Sequence, residues 1–193
     1  MQSRLILITG PKHSGKSLCA QSLEKIIDGE AEDLDGLIKK ETGRTPRELF
    51  REGPGILMKA EAHALASVQN DDCRPSPKFR ILAAGGGLID NNEALDLLSK
   101  HKETIIIYLD VSPETAWRRI LNTAAAEGEF PPFLNTENPG VKPGEIQHAL
   151  HKRRSEAYKA LAAFTVSAEN KNPEETAAEI AAWLDKQEDP EPR

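Results

Sequence analysis

The segment that most constrains this chain is near its start. Residues 5–8, Leu-Ile-Leu-Ile, run into Thr9 and then Gly10-Pro11-Lys12-His13-Ser14-Gly15-Lys16-Ser17, followed by a helix-forming stretch from Leu18 to Ile27. This is G-x-x-x-x-G-K-[ST] in its required setting, a strand before it and a helix after it. A glycine-bearing loop wrapped around a helix N-terminus leaves backbone N–H groups pointing into a concavity, which is an anion site. Lys16 supplies a point charge for phosphate, and the Ser17 hydroxyl is an oxygen ligand for Mg²⁺. The motif therefore predicts a parallel sheet with the loop at the carboxyl end of its first strand. His13 reads as a loop residue and Cys19 as packing.

The rest of the chain repeats the alternation. Short apolar runs at 31–34 (the weakest), 81–84, 105–109 and 164–166 alternate with amphipathic stretches, as expected of parallel strands flanked by helices. Helix starts are written at Thr45-Pro46-Arg47-Glu48, Asn172-Pro173-Glu174-Glu175, Ser112-Pro113-Glu114 and Asp90-Asn91-Asn92-Glu93. Residues 71–78 read as a surface connection. Residues 121–147, which hold three glycines and four prolines, read as a long loop of the kind that serves as a lid. Residues 185–193 read as a frayed polar tail, leaving one domain over 1–184.

Composition narrows the function classes. With 25 Lys+Arg against 31 Asp+Glu the formal charge is −6, which argues against a nucleic-acid-binding surface. Two cysteines, Cys19 and Cys73, are too few for a disulfide framework or a cysteine-rich zinc site. The first apolar stretch is too short for a signal sequence or a membrane span. The expectation is a cytoplasmic protein with no membrane partner. A guanine-selecting N-K-x-D segment is not formed, because Asn170-Lys171-Asn172-Pro173 has Pro where Asp is needed. At 193 residues the chain suits a small-molecule kinase better than a motor ATPase.

Two further features sit where an acceptor would bind. Glu32-Asp33-Leu34-Asp35 ends the second, weak strand, and alternate strand residues share a face, so Asp33 and Asp35 are expected to point together towards the loop mouth. One carboxylate beside Mg²⁺ and one beside an acceptor hydroxyl is what phosphoryl transfer requires. A solvated acidic loop is the other reading, since residues 28–35 contain five acids. Gly85-Gly86-Gly87 follows the third strand and lets backbone approach a ligand closely.

In this order the residues resemble the shikimate kinase family. The matching pieces are the phosphate loop, Asp33/Asp35, Thr42-Gly43-Arg44, Gly85-Gly86-Gly87, a lid, and Arg154-Ser155-Glu156-Ala157-Tyr158, with Glu48-Leu49-Phe50 and Glu61 also in place. The resemblance spans residues 4–182. It implies a three-layer α/β/α P-loop kinase fold with a five-stranded parallel sheet, acting as a monomer on ATP, Mg²⁺ and a small-molecule acceptor, shikimate. It places Gly10 to Leu18 on nucleotide phosphate, with Lys16 catalytic. Ser17 and Asp33 would serve the metal, and Arg119, Asn172 and Pro173 would lie around adenine. Asp35 would bind and deprotonate the acceptor hydroxyl, Gly85, Gly86 and Gly87 would line its pocket, and Arg154 would hold its carboxylate.

The chain departs from the family at two points. Met58 stands where the family has a second carboxylate-binding Arg, with Lys59 as the neighbouring candidate substitute. The lid segment has Pro131-Pro132-Phe133-Leu134 and no Arg, and carries four Glu to one Lys. A divergent member acting on another hydroxylated metabolite, or a nucleotide-binding module with little catalysis, is the alternative expectation.

Overall fold

The computed structural model describes residues 3–69, 77–101, 103–135 and 140–188. The expected surface connection at 71–78 lies mostly outside these, as does Cys73. Five parallel strands, β1 (Arg4–Thr9), β2 (Gly29–Asp33), β3 (Phe79–Ala83), β4 (Ile105–Asp110) and β5 (Phe164–Ser167), form one sheet in the order β2-β3-β1-β4-β5. Eight α-helices connect them among the described residues: α1 (Lys16–Glu24), α2 (Leu34–Thr42), α3 (Pro46–Glu52), α4 (Pro54–Gln69), α5 (Asn92–Lys100), α6 (Pro113–Glu127), α7 (Pro143–Leu161) and α8 (Pro173–Glu188).

The sheet is buried on both faces, which is why its central strands read as unbroken apolar runs. Along β1, Ile6 and Ile8 pack with Cys19, Ala20 and Leu23 of α1 and with Ala177, Ile180 and Leu184 of α8. Leu5 and Leu7 point to the other face, against Leu34 and Ile38 of α2, Leu49 of α3, Leu65 of α4 and Leu98 of α5. The result is the expected three-layer α/β/α fold. The weak second run is an edge strand, and it tolerates charge: Glu32 pairs with Arg80 at 2.6 Å.

Local capping explains several element boundaries. Thr45 accepts from Glu48 N–H while Glu48 accepts from Thr45 N–H, a complete capping box that starts α3. Ser112 caps α6 and Asn172 caps α8 as read from the sequence. At the fourth expected start the cap is Asn91, not Asp90, because the Asn91 side chain accepts from Ala94 N–H. The expected loop at 121–147 is also corrected. α6 runs to Glu127 and α7 begins at Pro143, so helix takes up both ends of that stretch, and the described residues between them hold a 3₁₀ turn at Pro132–Leu134. Ala-rich sequence after Leu121 favours helix, and Gly128 stops it in a left-handed conformation (φ 79°). The expected frayed tail at 185–193 is helical as far as Glu188, and the remainder lies outside the described residues. No helix among the described residues is long and apolar enough to cross a membrane.

Strand order determines where a ligand can sit. β1 has β3 on one side and β4 on the other, so the chain leaves the carboxyl ends of these strands in different directions and opens a crevice there. Leu7 is fully buried at the centre of this arrangement. Leu7→Ala is expected to lower the unfolding free energy by about 2–5 kcal/mol, read from urea titration. A loss below about 1 kcal/mol would contradict the central placement of β1.

Candidate active site

The phosphate loop sits at the carboxyl end of β1. Gly15, at the N-cap of α1, has φ 93° and offers no side-chain acceptor, so the first N–H groups of α1 stay open to an anion. A Cβ on Gly10 would lie 2.7 Å from Leu109 O and 2.9 Å from Ser14 Oγ, so only glycine lets the loop lie this close to β4. Buried Ser14 Oγ and His13 Nε2 have no hydrogen-bond partner among the described residues. Lys16 Nζ donates to Pro11 O at 2.8 Å. Burial pushes the Lys16 pKa down to about 8; Asp35 and Asp33 hold it up against Lys12. Burial, then Lys12 and Lys16, push His13 down to about 4, so it is neutral at pH 7.

Asp33 and Asp35 meet the loop, though not as two residues of one strand. β2 ends at Asp33, and Asp35 lies in the first turn of α2. Asp33 Oδ1 accepts from Asp35 N–H (3.0 Å) and Gly36 N–H (3.4 Å), capping α2, while its Oδ2 accepts from the Ser17 hydroxyl. Strand alternation was thus the wrong reason for a correct pairing: the cap, not the pleat, turns Asp35 into the cleft. The Ser17–Asp33 contact places two hard oxygen donors at the loop. No group of three or more His, Cys, Asp or Glu that could hold a metal occurs among the described residues. This donor set suits Mg²⁺, which is typically held by one or two protein oxygens together with substrate phosphates. Asp35 is open to cleft water but walled by protein. That crowding, with Asp33 beside it, raises its pKa above the usual carboxylate value against the pull of Lys16 and Lys12.

The other end of the cleft is built from the 3₁₀ turn Gly86–Asp90 and from α4 and α7. A Cβ on Gly86 would meet Gly10 O at 2.8 Å, so the glycine run lies directly against the phosphate loop. The Arg154 guanidinium lies over Gly87, with Nη2 3.5 Å from where a Cβ would be, and Phe133 stands 5.8 Å from its centre. Asp90 Oδ2 accepts from Arg154 Nε (3.0 Å) and Nη2 (2.8 Å). Tyr158 stacks on Tyr108 at 5.6 Å and accepts from Ile89 N–H at 3.0 Å. α4 turns Leu57 and Glu61 to the cleft, while Met58 and Lys59 are off its wall and Lys59 is exposed. Lys59 therefore does not replace the guanidinium that the family has at position 58. Glu61 accepts from Asn91 Nδ2 at 3.1 Å, and burial raises its pKa.

The acidity of the lid segment has partners. Arg47 of α3 pairs with Glu127 and Glu129, each at 2.7 Å, and Arg51 also pairs with Glu129. Glu145 accepts from Lys142 N–H at the start of α7. Of the four glutamates only Glu137 lies outside the described residues. Pro131, Pro132 and Phe133 face the cleft.

Together the loop, Asp33, Asp35, Gly85, Gly86, Gly87, Glu61 and Arg154 line one cleft of about 680 Å³. Leu18, Pro11, Lys12 and His13 line it as well. Arg119 Nη1 donates to His13 O at 2.9 Å, and with Ser14, Lys171 and Pro173 it lines a second cavity of about 210 Å³. Asn172 is not on that wall, since its side chain caps α8. Arg47 and Phe133 on the cleft wall, and Asp90 behind Arg154, have no role readable from the sequence.

Comparison with known proteins agrees with this geometry. A shikimate kinase family model matches residues 12–185. A shikimate kinase of Corynebacterium efficiens is 27% identical over 188 residues, covering 96% of this chain and 99% of that one. One from Salinispora arenicola is 29% identical over 179 residues, covering 92% and 96%. Among solved structures, a shikimate kinase from Acinetobacter baumannii in complex with shikimate superposes with a TM-score of 0.77 at 24% identity, covering 96% of this chain and 94% of that one. The Aquifex aeolicus shikimate kinase gives 0.69 at 21% identity, covering 95% and 98%. With the family match extending over nearly the whole described fold, this chain belongs to the shikimate kinase family.

Proposed function

We propose that this chain transfers the γ-phosphoryl group of Mg-ATP to the 3-hydroxyl of shikimate. The observation that carries this reading is that one cleft holds a phosphate loop with its lysine and a guanidinium packed on the glycine turn, with Asp35 on the same wall. The first suits a polyphosphate, the second a carboxylate, and the third an acceptor hydroxyl.

Bound Mg²⁺ supplies charge neutralisation of the phosphates, and Ser17 and Asp33 are the residues that would hold it. Lys16 and the open N–H groups of Gly15 to Leu18 bind and orient the polyphosphate. Asp35 accepts the hydrogen bond of the acceptor hydroxyl and takes its proton. Its raised pKa, from burial and the neighbouring Asp33 against the pull of Lys16, makes it a better base than a free aspartate. Arg154 holds the acceptor carboxylate, with Gly85, Gly86 and Gly87 beside it. Pro131, Pro132 and Phe133 limit water on the lid side. Arg119 and Pro173 form the base-binding end through the second cavity. All of these groups come from one chain, which supports a monomer; a cytoplasmic location and a single domain over 1–184 belong to the same reading, with the lid at the connection between α6 and α7.

A second reading has one specific observation in its favour. With Met58 and Lys59 off the wall, α4 contributes no cation, so Arg154 beside the glycine turn has no second guanidinium from α4. That would suit a less anionic hydroxylated metabolite.

ADP release measured with shikimate against a panel of polyols and hydroxy acids separates the readings. Saturable turnover with shikimate is expected. Turnover with another acceptor alone favours the second reading, and tight ATP binding without turnover on any acceptor reduces the chain to a nucleotide-binding module. Asp35→Asn is expected to keep ATP affinity within about twofold and to lower kcat by about 10²–10⁴; full activity would overturn the role of Asp35.

Lys16 gives a pH signature. With a pKa of about 8 in the free cleft, it is half neutral at pH 8. A bound polyphosphate favours the charged form and raises that pKa, so binding takes up protons. Calorimetry of Mg-ATP binding at pH 8 in buffers of different ionisation enthalpy is expected to read an uptake of roughly half a proton from this group. The uptake should be lost in Lys16→Arg, which stays charged. No uptake in the unmodified protein would contradict the depressed pKa.

A further inference from the structure

We propose that Asp90 is a positioning residue for the acceptor, fixing the Arg154 guanidinium so that a single edge is presented to the acceptor carboxylate. The inference rests on the function proposed above and adds to it a residue that makes no contact with the reacting atoms.

Asp90 lies at the end of the turn that begins with the glycine run, and its carboxylate receives four charged hydrogen bonds. Arg154 Nε and Nη2 donate to Oδ2 at 3.0 and 2.8 Å, and Arg153 donates through Nη1 to Oδ1 at 2.7 Å and through Nη2 to Oδ2 at 3.0 Å. A guanidinium has five N–H donors in a planar fork. Asp90 takes one from Nε and one from Nη2 of Arg154, so the remaining donors are those of Nη1 and the second of Nη2. The plane itself has the Gly87 backbone on one side, and Phe133 lies 5.8 Å from its centre. Arg154 is thereby held along one edge and by packing, and its side chain is 22% exposed.

Asp90 can do this because its neighbours are pinned. Ile89 N–H donates to Tyr158 Oη at 3.0 Å. Asn91 Nδ2 donates to Met58 O at 2.7 Å and to Glu61 Oε2 at 3.1 Å. Gly86 lies against the Gly10 carbonyl. The carboxylate therefore belongs to a fixed turn and not to a mobile loop, which is what holding a binding group in register requires. Burial alone would raise the pKa of Asp90, but the hydrogen bonds from Arg153 and Arg154 outweigh it and the value is lowered, so the carboxylate is ionised at neutral pH. With α4 supplying no second guanidinium, and with Arg47, the other arginine on the cleft wall, paired with Glu127 and Glu129, orientation beside the glycine turn depends on the Arg154 fork.

Simple charge and positioning predict opposite signs. Asp90→Asn removes a negative charge beside Arg154. If net charge governed acceptor binding, the acceptor KM would fall; if orientation governs it, the KM rises. Steady-state kinetics on the full chain are expected to show the KM for shikimate rising about tenfold in Asp90→Asn, with kcat and the KM for ATP within about twofold. Asp90→Glu keeps the charge and displaces the carboxylate by one methylene. It is expected to raise the shikimate KM about threefold, where a charge effect would leave it unchanged. It decides the matter if the Asn variant fails to fold. An unchanged or lower shikimate KM in both variants overturns the proposal, and so does a parallel loss of ATP affinity, which would mark a merely structural role. Absence of shikimate-dependent turnover in the unmodified chain overturns the proposed function and Asp90's role with it. Normal turnover with indifferent Asp90 variants overturns Asp90's role alone.

Discussion

One backbone contact brings the two ends of the reaction together. The Gly86 backbone lies so close to the Gly10 carbonyl that a Cβ would stand 2.8 Å from it. The contact follows from strand order: β1 and β3 are neighbours in register, Ile8 beside Ala83, and Ala84 N–H donates to Ile8 O at 2.9 Å as both strands end. The loop that suits phosphate and the turn that suits the acceptor therefore leave adjacent strands at the same edge. A side chain at Gly86 would wedge them apart, and one at Gly10 would push the loop off Leu109 of β4. The three-layer core around β1 serves chiefly to hold that edge still.

Electrostatics divides the cleft by chemistry. The net charge of −6 suggested an acidic surface, but most acids near the cleft are already engaged elsewhere. Glu32 binds Arg80, Glu127 and Glu129 bind Arg47 and Arg51, and Glu145 serves the start of α7. Asp33, Asp35 and Glu61 are the acids on the cleft wall, facing Lys12, Lys16, Arg47 and Arg154 among the described residues. The lid segment has two of its four glutamates turned to α3 arginines. Exposed pairs of this kind contribute little stability. Their effect is to keep unpaired negative charge away from the mouth.

Much of this was legible before any coordinates. The phosphate loop, the capping box at Thr45, the caps at Ser112 and Asn172, and the glycine run are local signals whose physics acts over a few residues. Asp35 was placed correctly for the wrong reason, because Asp33 ends its strand and caps a helix, so strand alternation never reaches Asp35. Residues 121–147 read as loop from their glycines and prolines, but the alanine run after Leu121 favours helix and extends α6. Asp90 was hidden for a different reason. It stands one residue before the true cap, and its partners, Arg153 and Arg154, lie 63 and 64 residues further along the chain. For Lys59 the missing information is the rotation of α4, which buries Ala62, Leu65 and Val68, turns Leu57 and Glu61 to the cleft and leaves Lys59 exposed.

The account predicts chemistry at a defined atom, so the most direct measurement is the identity of the product. The chain would be incubated with Mg-ATP and shikimate in equal amounts, and phosphorus–proton correlation spectroscopy would follow the label. The expected result is one new phosphomonoester, its phosphorus coupled to the proton on carbon 3 of the ring, appearing in step with ADP. ADP accompanied by inorganic phosphate alone, or a phosphomonoester at another ring carbon, would contradict the account.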